Sequence, residues 1–464
     1  MAADAAEAVG TGWGIGASTG PLARGELSVA EHIDVLLERI AKSDRELHAY
    51  VSVAQDEARR AAEAADRLIS RAGPAIWRRR PLLGVPVSVK DLIQTAGLPT
   101  RRGSLLANPR PRQDAPAVAR LRRAGAIVIG KTATSEYGWC ASTASRLGPA
   151  TGNPRSPGRT AGGSSGGAAA AVAAGLCAAG LGTDGAGSIR IPAAFCGVVG
   201  FKPTFGRIPY VPACADRLAH LGPLTACVAD AALLYDLLRG PHPDDPDSLP
   251  GVWPGRSRRA EGLRVAWLEF PGTAPEVRRV ADRARAELAA LGHGVEAIEI
   301  PFEDPHRALV DLLAAGEAAG LCAADEELCD PGRLAVARHG RRLDGAAVAA
   351  AEETRLLLRR TLTRVMRRFD LLAMATVPVE PFAQDALGPE WAADPADLRW
   401  VAWTPATYPF NLTGQPAISI PAGCTAAGHP VGVQLVGAPG ADGLVLAAAA
   451  GWESRLGTLP PVRL

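Results

Sequence analysis

Two serines in glycine-rich segments are the residues of this chain best suited to covalent chemistry. Ser164 lies in the run Gly-Gly-Ser-Ser-Gly-Gly at 162–167, and Ser188 lies in Gly-Ala-Gly-Ser-Ile-Arg at 185–190. A serine hydroxyl becomes a nucleophile when a base removes its proton and backbone N–H groups hold the oxyanion that forms on the attacked carbonyl. Glycines let the backbone bring such N–H groups close to a substrate. The pattern therefore indicates acyl transfer through a serine.

Lys90 is the candidate base for such a serine. It lies near the end of the apolar segment Val-Pro-Val-Ser-Val-Lys-Asp at 85–91, where burial would lower the pKa of its amine. The chain has 46 arginines and only four lysines, at positions 42, 90, 131 and 202. Because arginine does not release its proton in a protein, a position that must alternate between charged and neutral forms has to be lysine. This composition favours a chemical role for Lys90 over that of a solvated strand end.

In their order along the chain, these segments resemble the amidase signature family of serine hydrolases. The matching segments are Gly-Val-Pro-Val-Ser-Val-Lys-Asp at 84–91, the Gly-Ser run at 162–167, Gly-Thr-Asp-Gly-Ala-Gly-Ser-Ile-Arg at 182–190, Pro-Ala-Ala-Phe-Cys-Gly at 192–197 and Phe-Asn-Leu-Thr-Gly-Gln-Pro-Ala at 410–417. An ordered set that spans nearly the whole chain is far more specific than any single motif. The resemblance implies one compact α/β domain, in which helices cover both faces of a large, twisted, mixed β-sheet.

The resemblance also implies a catalytic triad. Its expected members are Lys90 as the base, Ser164 as a proton relay on a cis peptide bond after Gly163, and Ser188 as the nucleophile. The spacing to Ser188 selects Ser164 over its neighbour Ser165, which is expected to have a supporting role. The relay requires a neutral Lys90, because an ammonium group has three donors and no acceptor.

The loop before and around the nucleophile is expected to hold the oxyanion. Ala186 occupies a position where the family usually has glycine, but the backbone N–H of alanine donates equally well. Asp184 and Arg190, in this loop, are interpreted as a structural pair that fixes the loop. Their alternative role is substrate binding. The expected oxyanion hole is formed by the N–H groups of Gly185, Ala186, Gly187 and Ser188, and the expected pair is Asp184 with Arg190.

Aromatic residues near these segments are the candidates for substrate contacts. Three of them lie within or after a proline-rich stretch at 378–395, which is expected to be a surface loop that shapes the pocket. Their alternative role is to pin that loop to the core. The candidates are Tyr137, Tyr210, Trp391, Trp400 and Trp403.

The reaction that these residues imply is hydrolysis of C–N acyl bonds through an acyl-enzyme. The expected substrates are carboxamides or anilides of small to medium size, including aryl amides. A carbamate (urethane) hydrolase is one alternative, because it needs the same nucleophile and oxyanion hole. The A chain of a glutamine-dependent tRNA amidotransferase is another. Against it, residues 215–223 read Ala-Asp-Arg-Leu-Ala-His-Leu-Gly-Pro, whereas that chain typically has Ser-Ser-Leu-Asp-Gln before its Gly-Pro.

Other motifs in the chain are weaker. Residues 125–132 satisfy the written phosphate-loop pattern, but their apolar, β-branched interior predicts a strand instead. A Gly-x-Ser-x-Gly match around Ser164 lacks an apolar strand leading into it. A Ser-His-Asp triad stays open, because triad partners need not be neighbours in the chain.

Composition limits the possible partners. The net charge of +2 over 464 residues gives no single-sign field, so neither nucleic acid nor a membrane is expected as a partner. The arginine clusters at 78–80 and 101–102 are interpreted as solvated faces. We expect a monomer or homodimer that acts on a small molecule without a metal or organic cofactor. Eight cysteines without a Cys-x-x-Cys motif, and an N-terminus without an apolar signal segment, favour the cytoplasm.

Hydrophobic periodicity predicts alternating helices and strands. Residues 1–25 are expected to form a lead-in that is loop-like over 14–20, followed by a catalytic domain at 26–464. A helix is expected to follow Ser164 and Ser165, with a serine as its N-cap and Gly175 just beyond its end. The further predicted helices are 28–43, 53–70, 116–124, 227–239 and 274–291, and the predicted strands are 126–130, 264–270, 295–300, 370–378, 417–421 and 431–436.

Overall fold

The computed structural model describes residues 14–106, 110–214, 217–250, 260–462 and 464. Within these ranges, helices cover both faces of one large mixed sheet, which confirms the predicted fold class. The strands are β1 (Tyr50–Val53), β2 (Pro86–Lys90), β3 (Ile127–Thr132), β4 (Gly152–Asn153), β5 (Ser156–Thr160), β6 (Ala179–Asp184), β7 (Val199–Lys202), β8 (His220–Thr225), β9 (Arg264–Leu268), β10 (Gly294–Ile298), β11 (Leu371–Ala375), β12 (Ala417–Cys424) and β13 (Pro430–Val436).

Eleven of these strands form the sheet, in the order β1-β3-β2-β6-β8-β7-β12-β13-β11-β9-β10. Strands β3, β2 and β6 run parallel to one another, as do β11, β9 and β10. The strands between these two parallel groups pair antiparallel. The short strands β4 and β5 form a separate hairpin.

The helices are α1 (Ile15–Arg24), α2 (Val29–Leu47), α3 (Gln55–Ala72), α4 (Pro116–Arg123), α5 (Gly166–Ala173), α6 (Arg190–Cys196), α7 (Val228–Leu238), α8 (Pro275–Ala290), α9 (His306–Gly320), α10 (Pro331–Gly340), α11 (Gly345–Arg368), α12 (Pro409–Leu412) and α13 (Asp442–Leu456). Helix α2 shows why these bounds arise. Ser28 accepts from the backbone N–H of Glu31, while the Glu31 carboxylate accepts from the backbone N–H of Ser28. This reciprocal cap starts the helix.

Strand β3 shows how the sheet separates two cores. The side chains of Ile127 and Ile129 pack with helices α2, α3 and α5, while Val128 packs with helices α4, α7 and α13 on the other face. Alternate residues of a strand point to opposite faces, so a run that is buried throughout needs helices on both. The buried strand also shows that residues 125–132 are not a phosphate loop.

Helices α9, α10 and α11 form a third core with residues from the β9–β11 part of the sheet. Strands β2 and β6 end at Lys90 and Asp184, and the carboxyl ends of parallel strands meet at one edge of a sheet. Helices α9 and α10 also supply residues to the cavity at that edge. The fold therefore brings distant parts of the chain to one place.

Two local predictions were wrong. Residues 14–20, expected to be loop-like, belong largely to α1, whose first N–H is held by Asp230 (Ile15 N to Asp230 Oδ2, 2.9 Å). Ser165 occupies the N-cap position of α5, but its side chain caps no N–H of that helix. The expected end of α5 is confirmed, because Gly175 has a φ of 65°. Residues 1–13 of the expected lead-in, and residues 251–259, lie outside the described residues.

No disulfide joins any of the eight cysteines, all of which are described. Among the described residues, no helix is both long and apolar enough to cross a membrane.

Candidate active site

Lys90 and Ser164 are in direct contact. The Nζ atom of Lys90 donates to Oγ of Ser164 at 2.7 Å and to Oγ1 of Thr183 at 2.8 Å. Lys90 ends β2, Thr183 lies in β6, and Ser164 lies in the loop before α5. Since β2 and β6 are parallel neighbours in the sheet, their ends place the amine against the serine loop. The sequence signalled both Lys90 and Ser164 but gave no indication of Thr183.

Burial changes the protonation of Lys90. The side chain is fully buried, and this lowers the pKa of its amine to about 7, against the opposing influence of the Asp184 carboxylate. An amine with that pKa is neutral in about half of the molecules at pH 7. A neutral amine has a lone pair and can accept a proton from a hydroxyl. The electrostatics therefore agree with the expected neutral form of Lys90.

The two candidate serines line the same cavity. Ser164 is 1% exposed and Ser188 is 8% exposed, and both contribute to the walls of an inner cavity of about 750 Å³. No hydrogen bond reaches the hydroxyl of Ser188 from any described residue. The structure thus forms the link from Lys90 to Ser164, but it does not form a hydrogen bond between the two serine hydroxyls.

The peptide bond between Gly163 and Ser164 is cis, as the resemblance implied. A Cβ atom on Gly163 would lie 2.1 Å from the carbonyl oxygen of Ser142, so only glycine fits at this position. Ser165 supports the same loop from its other side. Its hydroxyl donates to the carbonyl oxygen of Thr183 at 3.0 Å and accepts from the backbone N–H of Thr183 at 3.2 Å. This exchange joins the serine loop to β6.

The N–H groups expected to form the oxyanion hole differ in availability. The N–H of Gly187 donates to Oδ1 of Asp184 at 2.7 Å and is therefore already engaged. The N–H groups of Gly185, Ala186 and Ser188 have no acceptor among the described residues. Both Gly185 and Ala186 line the inner cavity together with Ser188. The geometry leaves three of the four expected donors available to a substrate oxygen.

Asp184 and Arg190 pair as expected. Two nitrogens of the guanidinium, Nε and Nη2, each donate to a different carboxylate oxygen at 2.9 Å, and both side chains are fully buried. Burial alone would raise the pKa of Asp184, but the Arg190 guanidinium, together with Lys202 and Asn411, holds that pKa below its usual range. Asp184 also accepts from the backbone N–H of Gly187 and of Ile189. The pair thus holds the loop that carries Ser188.

Asn411 completes this network. Its Nδ2 donates to Oδ1 and to the backbone oxygen of Asp184, both at 2.8 Å, and its Oδ1 accepts from Arg190 at 2.6 Å. Gln434 accepts from another guanidinium nitrogen of Arg190 at 2.8 Å. The sequence contained the Asn411 segment as a motif, but a position more than 200 residues from Asp184 gave no sign of this contact.

Only some of the expected aromatic residues reach the inner cavity. Tyr137, Tyr210 and Trp400 line it, together with Trp139. Trp403 instead lies in the core, stacked on Phe195 with the ring centroids 6.0 Å apart. The difference arises because Trp403 turns its Nε1–H toward the carbonyl oxygen of Trp400, while Trp400 donates to that of Trp139.

Trp391 does not line this cavity, and its side chain is 51% exposed. Most of the remaining wall is apolar, with the thiols of Cys140 and Cys214 and the carboxylate of Glu317 as additional groups.

No histidine is among the described residues that line the inner cavity. His220 lies behind the site, where its Nδ1 is 2.7 Å from the carbonyl oxygen of Leu218 and 3.2 Å from that of Asp184. Burial holds the pKa of His220 below its usual value. An imidazole therefore does not contact either serine hydroxyl.

A second, outer cavity continues from the inner one. Arg102 lines it, together with Tyr137, Tyr210 and Arg333. The sequence interpretation of residues 101–102 as a solvated face therefore holds for Arg101, which is exposed, and not for Arg102.

Comparison with known proteins assigns the chain to a family. Residues 31–446 match a protein-family model described as Amidase. An acylamidase from Rhodococcus erythropolis is 36% identical to the chain, and the alignment covers 93% of each. The A chain of a glutamyl-tRNA(Gln) amidotransferase from Synechococcus sp. (strain RCC307) is 35% identical, over 91% of this chain and 93% of the relative. The solved structure of a bacterial aryl acylamidase of the amidase signature enzymes superimposes with a TM-score of 0.85, at 28% identity and over 96% of each chain.

Proposed function

The chain belongs to the amidase signature family of hydrolases, and from that premise we propose that it cleaves the C–N bond of carboxamides through an acyl-enzyme on Ser188. The observation that carries the proposal is the hydrogen bond between the buried amine of Lys90 and the hydroxyl of Ser164, beside a cavity that Ser188 also lines. Among the described residues that line this cavity, this is the one serine hydroxyl in contact with a group that can act as a base near neutral pH.

The proton follows a short path in the proposed reaction. Neutral Lys90 accepts the proton of Ser164 while Ser164 accepts that of Ser188, which attacks the carbonyl carbon. For this step the Ser188 side chain must rotate so that its hydroxyl donates to Ser164, since the two are not hydrogen-bonded without substrate. A rotation about one side-chain bond is fast compared with turnover of a typical enzyme.

The oxyanion that forms is then held by backbone donors. Gly185, Ala186 and Ser188 offer N–H groups for this purpose, each worth a few kcal/mol in a site that excludes water. The proton returns through Ser164 to the nitrogen of the leaving amine, the C–N bond breaks, and water later releases the acid from Ser188 by the reverse path.

The substrate proposed is a small to medium amide with an apolar or aromatic part. Support comes from the apolar and aromatic wall of the inner cavity, to which Tyr137, Trp139 and Trp400 contribute. Relatives named acylamidase and aryl acylamidase agree with such substrates. Aryl carbamates have a carbonyl of the same geometry and are included as test substrates.

A panel of primary amides, 4-nitroanilides and aryl carbamates tests the proposal. The wild-type protein should hydrolyse at least one class with steady turnover, and Ser188→Ala should lower kcat by about 10⁴-fold or more. Ser454→Ala, at an exposed position of α13, is the matched control and should retain full activity. Unchanged turnover by Ser188→Ala would exclude this residue as the nucleophile.

The identity with the A chains of amidotransferases, 35% over 91% of the chain, favours a second candidate function. In that role the protein would release little ammonia from glutamine alone and would need partner chains and ATP. The absence of Ser-Ser-Leu-Asp-Gln from residues 215–223 is an argument against it. Measurement of glutaminase activity by the isolated chain, beside the amide panel, distinguishes the two functions.

A further inference from the structure

The inner and outer cavities share part of their walls. The outer cavity has a volume of about 850 Å³, and Tyr137, Tyr210 and Leu313 line both it and the inner cavity that contains Ser188. A substrate whose carbonyl lies at Ser188 can therefore extend past these shared residues into the outer cavity.

Three charged side chains line the outer cavity among the described residues, and two of them neutralise each other. Nε of Arg333 donates to the Glu317 carboxylate at 2.7 Å, and its Nη1 lies 3.5 Å from Glu136. The Arg333 guanidinium also lies 3.9 Å from the centroid of the Tyr137 ring. These contacts fix the wall of the cavity but leave no charge of Arg333 uncompensated.

Arg102, the third charged residue, has no acidic partner in the described part of the chain. The carboxylate of Asp91, in the same loop, is engaged elsewhere, because it accepts from the backbone N–H of Arg101 at 3.1 Å and lies 3.6 Å from Nζ of Lys131. The Arg102 guanidinium lies 5.5 Å from the centroid of the Tyr137 ring. Such a contact attracts a cation but does not neutralise it.

The backbone of Arg102 is held in place. Its N–H donates to the carbonyl oxygen of Asp91 at 3.1 Å, and its own carbonyl accepts from the N–H of Tyr137 at 2.8 Å. Both Arg102 and Tyr137 adopt left-handed backbone conformations, with φ of 56° and 49°. Residues other than glycine rarely do so, and such positions concentrate at functional sites. The guanidinium thus extends from an anchored backbone, which lowers the entropy lost when it binds a ligand.

We propose that Arg102 binds a carboxylate of the substrate, so that the preferred amides carry an anionic group that reaches the outer cavity. The inference rests on the proposed amide hydrolysis at Ser188 and adds the class of substrate. A planar guanidinium matches a carboxylate with two parallel hydrogen bonds. Among the described residues, the side chains that line the outer cavity carry a net charge of +1, because Glu317 pairs with Arg333 and Arg102 has no ion-pair partner. Glu136, the second acid beside Arg333, is buried and does not line this cavity.

Two matched pairs of amides test this proposal and show which part of the substrate carries the anion. Succinyl-4-nitroanilide and the neutral levulinoyl-4-nitroanilide differ in the acyl group, whereas 4-acetamidobenzoate and the neutral 4-acetamidoacetophenone differ in the leaving amine. The quantity measured is the ratio of kcat/KM for the anionic member to that for the neutral member. In the wild-type protein this ratio should exceed one for at least one pair.

Three variants identify the residue responsible. Arg102→Ala should lower the ratio by about tenfold to a hundredfold, the range that one charge-assisted hydrogen bond supports. Arg102→Lys should retain part of the preference, and Arg102→Glu should reverse it. The control is Arg101→Ala, an exposed neighbour that does not line the outer cavity and should leave the ratio unchanged.

Calorimetric titration of 4-acetamidobenzoate and succinate into Ser188→Ala, with and without Arg102→Ala, separates this inference from the proposed function. If hydrolysis depends on Ser188 but neither ratio responds to Arg102, the inference is wrong and the proposed function stands. If none of the four amides is hydrolysed but binding of either carboxylate is lost with Arg102→Ala, the anion site stands and the proposed function fails. Equal binding to both proteins together with unchanged ratios would overturn the anion site.

Discussion

The charged side chains around the inner cavity and those of the outer cavity differ in their burial and in their partners. Behind the wall of the inner cavity, Asp184 and Arg190 are fully buried, and each forms hydrogen bonds with the other and with Asn411. The Lys90 amine nearby has hydroxyl partners and no carboxylate in direct contact among the described residues. In the outer cavity, Arg102 is only partly buried, and its guanidinium has no acidic partner among the residues that the structure describes.

The difference separates chemistry from recognition. A buried amine without a carboxylate in direct contact loses its proton readily, because hydroxyl partners and a more distant carboxylate compensate only part of the cost of burying its charge. A partly solvated guanidinium keeps its charge and can exchange water for a ligand. We therefore expect substitutions around the inner cavity to alter kcat or stability. Substitutions in the outer cavity should alter KM.

Removal of the Lys90 amine beside the inner cavity should have the largest effect on activity. Lys90→Met keeps the volume of the side chain but eliminates the base, so kcat should fall by about 10³-fold or more. The free energy of unfolding should be retained or increased, because an apolar group replaces a buried amine. Amide turnover and urea denaturation measure the two quantities.

The control is Lys42→Met, at an exposed position of α2, which should change neither quantity. If Lys90→Met keeps its activity, Lys90 is not the base, and the proposed chemical difference between the inner and outer cavities is wrong.

Loss of one partner of the buried Asp184–Arg190 ion pair should have a large effect on stability. Asp184→Asn leaves the Arg190 charge buried without an acid, so unfolding should require about 3–5 kcal/mol less free energy. Asp34→Asn breaks the exposed pair with Arg59, where N and O are 2.7 Å apart, and should cost less than about 1 kcal/mol. Similar losses for both variants in urea denaturation would mean that burial does not distinguish these pairs.

The pH dependence of activity should report Lys90. Because the neutral amine is the active form and its pKa is about 7, kcat/KM should rise with pH and level off above a midpoint near 7. A profile that falls across this range, or that stays flat in the wild-type protein, would contradict the neutral base.

The same shift affects stability in a defined direction. The pKa of Lys90 is lowered in the folded state, so the unfolded chain binds more protons between about pH 7 and 10.5. The contribution of Lys90 to the free energy of unfolding is therefore least favourable below pH 7 and improves as the pH rises. The difference in stability between wild type and Lys90→Met should shrink over this range.

A change in the outer cavity should have the smallest effect. Glu317→Gln removes one of the two carboxylates beside Arg333, and the one that lines the outer cavity, so this cavity gains positive charge. KM for the anionic amide of each pair should fall by about 2–5-fold relative to the neutral one, as expected for a partly solvated charge, while kcat should stay within about twofold. An equal rise of KM for both members would show that Glu317 acts only through packing.

The two regions also differ in how well the sequence predicted them. Lys90, Ser164 and Ser188 lie in glycine-rich or strand-ending motifs, whose local chemistry is visible in neighbouring residues. Periodicity predicted strands β3 and β9–β13, and helices α2, α3, α4, α7 and α8, to within a few residues at their ends. It did not predict strands β1, β6, β7 and β8 or helices α9, α10, α11 and α13. Helix α1 was missed, because the two glycines and the proline in its sequence mask its apolar face.

Contacts between distant segments could not be predicted. Trp400 and Trp403 are three residues apart, yet one lines the cavity and the other lies in the core. The engagement of the Gly187 N–H by Asp184 depends on how a single loop folds back. Arg102 resembled its exposed neighbour in sequence, and only the packing of its loop against Tyr137 distinguishes it.

The rate at which a fluorophosphonate labels the protein, followed by intact mass and peptide mapping across pH 5–9, tests the central claim most directly. We predict a single adduct on Ser188, formed at a rate that rises with pH around a midpoint near 7 and that is lost in Lys90→Met. An adduct on another residue, or labelling of Ser188 at the same rate without Lys90, would contradict the account.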